Sequence, residues 1–306
     1  MTACRPPGDG EPGGPVVVGG AAAVDEILFV AGTLGDGKAR IVRREQRFGG
    51  NAVVAVLAAA AAGAATVFAG HLPDEHTEPG LLARLRAGGV DLSKATYSPA
   101  TRAIRSTILV GSDGNRFIAF DDETLLGLPE DLDLDVVRTA GALLLDAYGV
   151  PGGIRAAAAA REAGVPVVVD IEFASHPRIS ELLTLAGHLV LPIGFAQELT
   201  GETSPDKVVA ALWRPDRQAV VLTAGASGTW YRGASGPALA HRPAVEVDVV
   251  DTTGCGDVFH GAYAAALAGG VSLDGCVEAA TLGAADCAAR PGGVPPLTRQ
   301  NIHSDT

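Results

Sequence analysis

The stretch Val249-Val250-Asp251-Thr252-Thr253-Gly254-Cys255-Gly256-Asp257-Val258-Phe259-His260-Gly261 runs from a β-rich segment through a Gly-x-Gly turn into an apolar, Ala-rich helix. A helix start presents free N–H groups and the positive end of the helix dipole, so it attracts anions. Gly254 and Gly256 let the backbone come close to such an anion. Asp257 sits just inside the helix, where a carboxylate would repel that anion unless it serves to take a proton from an attacking group. The combination points to phosphoryl transfer onto a hydroxyl. A glycine-containing strand-to-helix turn with a capping acid accounts for the same spacing equally well.

Outward from this turn, the chain reads as one α/β domain. Its 306 residues suffice for a large single core. At 47% hydrophobic and 19% charged, it is a globular rather than a disordered composition. The net charge of −12 disfavours nucleic acid and acidic membrane surfaces as partners. A nucleotide would then be held by local N–H groups and a metal, not by the overall field. Cys4, Cys255, Cys276 and Cys287 are scattered without metal-site or disulfide spacing, which fits a reducing cytoplasm. Residues 1–15 are Gly/Pro-rich and read as a flexible tail, leaving 16–306 as the domain. Residues 52–69 are uncharged enough to resemble a membrane span, but they are mostly Ala and divided by Gly63; a buried helix followed by a strand is expected instead.

Strands are expected at 16–18, 22–30, 39–44, 102–110 and 116–120, the last two joined across Asp113-Gly114 as a hairpin. Helices are expected at 52–62 and 81–87. From residue 142 strand and helix alternate: strands 142–145, 167–169, 188–191 and 219–222, with helices 153–163, 179–185 and 196–199 between them. Such alternation argues a doubly wound, mostly parallel sheet flanked by helices, with ligands at the carboxyl ends of its strands. The segments around 22–45 and 102–120 do not fit that alternation.

Asp251-Thr252-Thr253-Gly254-Cys255-Gly256-Asp257 resembles the C-terminal signature of the ribokinase, or PfkB-type, carbohydrate kinases, usually Asp-Thr-x-Gly-Ala-Gly-Asp. Gly49-Gly50, Gly70, Leu199-Thr200-Gly201 and Thr223-Ala224-Gly225-Ala226-Ser227-Gly228 follow the family's order along the chain. The nearest branches are ketohexokinase-like and sulfofructose-kinase-like proteins, and residues 241–261 are most similar to the latter. The resemblance implies a ribokinase-like fold in which the strands near 22–45 and 102–120 form a small β-lid over a sugar.

It also implies roles. Asp257 would be the catalytic base, with backbone N–H groups of Gly254, Cys255 and Gly256 forming the anion hole. Cys255 replaces the usual Ala in a role that needs no side chain. Asp251 and Thr253 match positions that help hold a monovalent cation in relatives, K⁺ for instance; capping of the turn is as good a reading. Asp25, Gly50 and Asn51 would bind the sugar, although Val54 stands where relatives carry a further Asn. Thr223, Gly225 and Gly228 would face ATP. The family's magnesium-ordering Asn-x-x-Glu is absent, with Pro192 and Phe195 in its place, so Mg²⁺ would rest on phosphate oxygens and water. Residues 32–39, Gly-Thr-Leu-Gly-Asp-Gly-Lys-Ala, nearly match a P-loop but lack its Ser/Thr and its helix. Lys38 reads better as a solvated lysine, or as a group reaching the substrate from the lid base. Tyr148 and Phe120 stand where donors for a sulfonate would be sought, though an unsulfonated substrate is favoured. His260 reads as a packing or surface residue.

The leading expectation is an ATP-dependent kinase acting on a primary hydroxyl of a small sugar, possibly a ketose. A nucleoside kinase of the same fold and a sugar-binding protein with impaired catalysis are the alternatives. A two-sided lid with exposed Ile41, Ile104 and Ile108 would pair with a second copy, giving a homodimer.

Overall fold

The computed structural model describes residues 13–35, 37–113, 115–174, 176–236, 238–290 and 292. Most of the expected tail, with Cys4, lies outside these residues, as does Asp36 of the P-loop-like segment.

In chain order the elements are β1 (Val16–Gly19), β2 (Ala23–Val30), β3 (Ile41–Gly49), α1 (Asn51–Ala61), β4 (Thr66–Phe68), β5 (His71–Leu72), α2 (Pro79–Ala87), β6 (Thr96–Tyr97), β7 (Ile104–Val110) and β8 (Arg116–Asp121). Then come α3 (Asp135–Arg138), β9 (Ala142–Asp146), α4 (Val150–Ala163), β10 (Val167–Asp170), α5 (Ile179–Leu185), β11 (His188–Pro192), α6 (Ile193–Thr200) and α7 (Pro205–Leu212). The chain continues through β12 (Ala219–Thr223), β13 (Thr229–Gly233), β14 (Ala240–Arg242), α8 (Cys255–Ala268) and α9 (Leu273–Ala288).

The main sheet has the order β14-β13-β12-β11-β10-β9-β1-β4. Its strands from β12 to β4 are parallel, and β13 and β14 add an antiparallel edge. The parallel strands are unbroken apolar runs such as Val-Val-Val and Leu-Leu-Leu because both of their faces are covered. Leu143, Leu145, Val167, Val169, Leu189 and Leu191 pack into one core layer. Leu144, Val168, Val190 and Val221 alternate with them into the other, against Phe259 and Tyr263 of α8. The expected doubly wound α/β sheet is therefore present.

A second sheet, ordered β3-β2-β7-β8, is built from the two segments that broke the alternation. β2 pairs with β3 and β7 with β8 antiparallel, while β2 and β7 run parallel. One expectation about this sheet fails. Ile104 and Ile108 are buried and Ile41 is half-buried, because β7 is an interior strand whose Ile104 packs on Ala21 and Ala23. The exposed apolar side chains are instead on the outer strands: Val42 (58% exposed) on β3, and Phe117 (60%), Ile118 (52%) and Phe120 (62%) on β8.

Two helices aim their N-termini at the same place. α1 begins at Gly50, whose φ of 89° belongs to glycine, and a Cβ there would lie 2.6 Å from the Ala21 carbonyl oxygen. α8 begins at Gly254, with φ 76°. The helices touch at Gly261, where any Cβ would fall on the Ala55 carbonyl oxygen. This close approach brings the two glycine turns together from opposite ends of the chain. α1, Asn51–Ala61, is thus the buried helix expected at 52–62, and no helix among the described residues is long and apolar enough to cross a membrane.

Candidate active site

A cavity of about 440 Å³ lies at the carboxyl end of the parallel strands, between the two sheets. The second sheet contributes Asp25, Arg47, Ile104, Ser106 and Phe120; the α1 turn contributes Gly50, Asn51 and Val54; the α8 turn contributes Thr253, Gly254 and Asp257. Tyr148, Glu172 and Phe173 follow strands β9 and β10 and close the floor. Tyr148 and Phe173 meet edge to face at 5.8 Å.

Asp25 lies on β2 beside Ser106 of β7. Burial pushes its carboxyl above the usual range, opposed by the Ser106 hydroxyl and the charge of Arg47. Asn51 donates to Asp170 Oδ2 at 3.4 Å and also bonds Glu172. Val54 presents an apolar wall to the cavity.

Asp257 sits among acids. Burial raises its pKa well above the ordinary carboxylate value, and the charges of Asp170, Glu172 and Asp146 add to that, as does a hydrogen bond with Asp170. A carboxyl–carboxyl hydrogen bond needs one proton between the two groups. Asp146 ends β9 and is buried, which pushes its pKa up to about 8 even though it accepts from the backbone N–H of Ala21 (2.6 Å) and Tyr148 (2.9 Å). The bond from Ala21 ties the Gly20–Ala21 turn to the end of β9. Asp146, Asp170 and Glu172 were not anticipated from the sequence, yet each had a signal: an acid that closes, or directly follows, an all-apolar parallel strand lies at the ligand end of the sheet.

Asp251 behaves differently. Its Oδ1 accepts from Thr253 N at 2.9 Å, and its Oδ2 accepts from Arg47 Nη1 at 2.6 Å and Gly292 N at 3.3 Å. Burial alone would raise its pKa; these donors outweigh burial and hold it at about 2. Both oxygens are already engaged, and a guanidinium supplies the positive charge that a monovalent cation would bring. Asp251 thus already has a cationic partner in Arg47. Cys255 shares a hydrogen bond with Cys287, which lowers its pKa against the opposing effect of burial.

Thr223, Gly225 and Gly228 are at the carboxyl end of β12, on the same edge of the sheet as Asp146 and Asp170, but outside this cavity. Lys38 is exposed between β2 and β3 and does not line the cavity either. In α6, Gln197 is tied to the Thr203 carbonyl at 2.6 Å, Phe195 is buried and Glu198 is exposed. Among the described residues, no group of three or more His, Cys, Asp or Glu side chains is arranged to hold a metal ion.

A cavity between a parallel sheet and a second four-stranded sheet, walled by two glycine turns at helix starts, is the architecture of a small-molecule phosphotransferase. Residues 15–299 match the family model described as pfkB family carbohydrate kinase, and the chain belongs to that family. It is 30% identical over 205 residues to the ribokinase of Arabidopsis thaliana, covering 63% of this chain and 53% of that protein. It is 27% identical over 238 residues to fructokinase-1 of Oryza sativa subsp. japonica, covering 70% and 72%. The aligned region thus spans about half the length of that ribokinase. The Arabidopsis thaliana ribokinase structure complexed with ribose and ATP superposes with a TM-score of 0.80 at 24% identity, over 92% of this chain and 95% of that one. A nucleoside kinase from Burkholderia thailandensis, solved with inosine, gives 0.73 at 22% identity over 94% of each chain. At these identities the superpositions establish the fold.

Proposed function

We propose that the protein transfers the γ-phosphoryl group of ATP to a primary hydroxyl of a small sugar. The observation that supports this best is that Asp257 and Gly254 line the same cavity as Asp25, Gly50 and Asn51. An acceptor hydroxyl held by the second group would lie beside the first. Asp25 accepts hydrogen bonds from the sugar hydroxyls, and Asn51 donates to them or fixes the acids beside them. Asp257 takes the acceptor's proton as its oxygen attacks phosphorus. The N–H groups of Gly254, Cys255 and Gly256 face the charge that develops on the transferred group. A Cβ on Gly256 would meet nothing within 4 Å, so the glycine leaves open space beside the turn for a phosphate. The turn after β12, with Thr223, Gly225 and Gly228, binds the nucleotide. Magnesium, entering with ATP, would neutralise phosphate charge.

The second sheet acts as a lid. Phe120 and Ile104 cover the sugar and exclude water from the transfer. A nucleoside acceptor is the second reading, favoured by Phe120, Tyr148 and Phe173, whose rings could flank a base. A panel of ketoses, aldoses and nucleosides with MgATP, read by ADP release, separates the two. Turnover of a sugar and of no nucleoside is expected; the reverse would replace the sugar with a nucleoside.

A further inference from the structure

Cys255 is the first residue of α8, and Cys287 lies in the last turn of α9. Neither is in a disulfide, and their thiols share a hydrogen bond. The backbone of the glycine turn brackets the pair. Cys255 Sγ donates to the Asp251 carbonyl oxygen at 3.9 Å, and Cys287 Sγ donates to the Thr253 carbonyl oxygen at 3.7 Å. The end of α9 is clamped to the chain that enters this turn. The Ala288 carbonyl accepts from Val250 N at 2.8 Å and from Asp251 N at 3.2 Å, and Gly292 N donates to Asp251 Oδ2 at 3.3 Å. Cys276, on the same helix, is fully buried, and its Sγ donates to the Val271 carbonyl oxygen at 3.4 Å. It lies about 16 Å from Cys287 along the helix.

The two thiols are placed differently. Cys255 is half-buried in a turn whose Thr252 and Gly256 are exposed, whereas Cys287 is 5% exposed. Cys255 also opens a 14-residue helix, whose positive end favours a thiolate. The hydrogen bond from Cys287 lowers the pKa of Cys255, against burial and the charge of Asp251, while the same bond and burial raise that of Cys287. Cys255 is the sulfur that a small oxidant reaches first. Cys287 waits beside it, shielded from the same oxidant.

We propose that Cys255 is a site of oxidation by hydrogen peroxide with Cys287 as its resolving thiol, and that the disulfide they close displaces the Gly254–Gly256 turn. The Cys255 thiolate attacks one peroxide oxygen; the O–O bond breaks, and the departing hydroxide takes up a proton as water. The product is a sulfenic acid on Cys255. The Cys287 sulfur then gives up its proton and attacks the Cys255 sulfur; the S–S bond forms, the S–O bond breaks, and a second water leaves. The two thiols together lose two electrons, and one peroxide is reduced to two waters. A disulfide holds its sulfurs about 2 Å apart, closer than two thiols sit in contact. Because α9 is clamped at residues 250 and 251, the shift falls on the turn, where Gly254 (φ 76°) has no Cβ to resist it. A dithiol reductant reverses the change. On the kinase reading above, the shift moves the amides that face the transferred phosphate; the disulfide itself does not rest on that reading.

Peptide mapping of the full-length protein, without reductant and after a slight molar excess of hydrogen peroxide, tests this independently of activity. A linked Cys255–Cys287 peptide is expected, lost on adding dithiothreitol, with Cys276 still a thiol. Linkage through any other cysteine overturns the proposal, as does a Cys255 that stays a thiol or runs on to sulfinic acid while Cys287 is untouched. In Cys287→Ser the resolving sulfur is gone, and the sulfenic acid on Cys255 is expected to accumulate and be trapped by dimedone. Cys287→Ala serves the same purpose should that variant not fold; a Cys255 that is not trapped in either would overturn the order of attack. Backbone amide signals of Gly254 and Gly256 are expected to shift on oxidation and to return on reduction. Signals that stay in place once the disulfide has formed would overturn the displacement. With an acceptor in hand, oxidation is expected to lower turnover about tenfold or more, and dithiothreitol to restore it. Full turnover by the disulfide form would overturn its effect on the turn. Failure of every sugar and nucleoside to release ADP would count against the kinase reading alone.

Discussion

Arg47 Nη1 donates to Asp251 Oδ2 at 2.6 Å, joining strand β3 of the second sheet to the glycine turn before α8, 204 residues further along the chain. Both side chains are largely buried, at 15% and 17% exposure, and Arg47 is braced on its other side by Glu45. The pair closes one wall of the cavity and brings a fixed positive charge next to the N-terminus of α8. It also links the second sheet's position to the geometry of the Gly254–Asp257 turn.

Replacing Arg47 with Gln leaves Asp251, next to the Gly254 turn, without its guanidinium partner. The loss of a charged, part-buried hydrogen bond is expected to cost about 1.5–3 kcal/mol in ATP affinity. Wild-type turnover is expected to be the same in K⁺ and in Na⁺ if the Arg47 guanidinium serves in place of a monovalent cation. Strong activation of the wild type by K⁺ would show that a cation binds there in spite of Arg47.

Asp25→Ala should weaken sugar binding about tenfold or more and leave ATP binding within about twofold, since the carboxylate faces the acceptor side of the cavity. Calorimetry with each ligand reads the difference. Equal losses for both would reassign Asp25 to holding Ser106 and strand β7.

The pH dependence follows from the raised pKa of Asp257. The base must be ionised to accept a proton. Activity is therefore full above the raised value and falls as pH drops through it. The acid limb of kcat/KM is expected well above the ordinary carboxylate range near about 4. Asp170→Asn removes a negative neighbour and should move that limb to lower pH. A limb near 4 in the wild type would mean that the base is not among these buried acids.

The outer strands of the second sheet expose apolar residues, and pairing with a second copy would cover them. β8 is an edge strand carrying Phe117, Ile118 and Phe120. A homodimer through this edge is expected, and Ile118→Asp should shift it toward monomer in sedimentation. A wild type that is monomeric at micromolar concentration would rule out pairing, and the site would be complete in one chain.

Much of this was legible from residue patterns. Val-Val-Val and Leu-Leu-Leu runs alternating with Ala-rich helices fixed the parallel sheet, and Gly50 and Gly254 marked the two helix starts because only glycine suits their backbone. That the segments around 22–45 and 102–120 stand outside the main sheet followed from their breaking the alternation; that they form a small sheet of their own was implied by the family resemblance. Exposure within that sheet did not follow: period-two patterning does not say which strand is interior, so Ile104 and Ile108 were misjudged while Phe117 and Ile118 were passed over. The acids Asp146 and Asp170 were hidden because single residues ending apolar strands look like ordinary strand termini until the strand order sets them side by side. His260, read as a packing or surface residue, is buried, and nothing local indicates that its Nε2 meets the Val190 carbonyl of β11.

The central claim is that Asp257 acts as the base. Its most direct test is Asp257→Asn, assayed by ADP release with the acceptor sugar found in the panel, alongside calorimetric ATP binding. The substitution keeps size and removes the proton acceptor. Turnover is expected to fall about 10²–10⁴-fold with ATP binding retained. A variant that keeps more than about a tenth of wild-type turnover would contradict general-base catalysis by this residue.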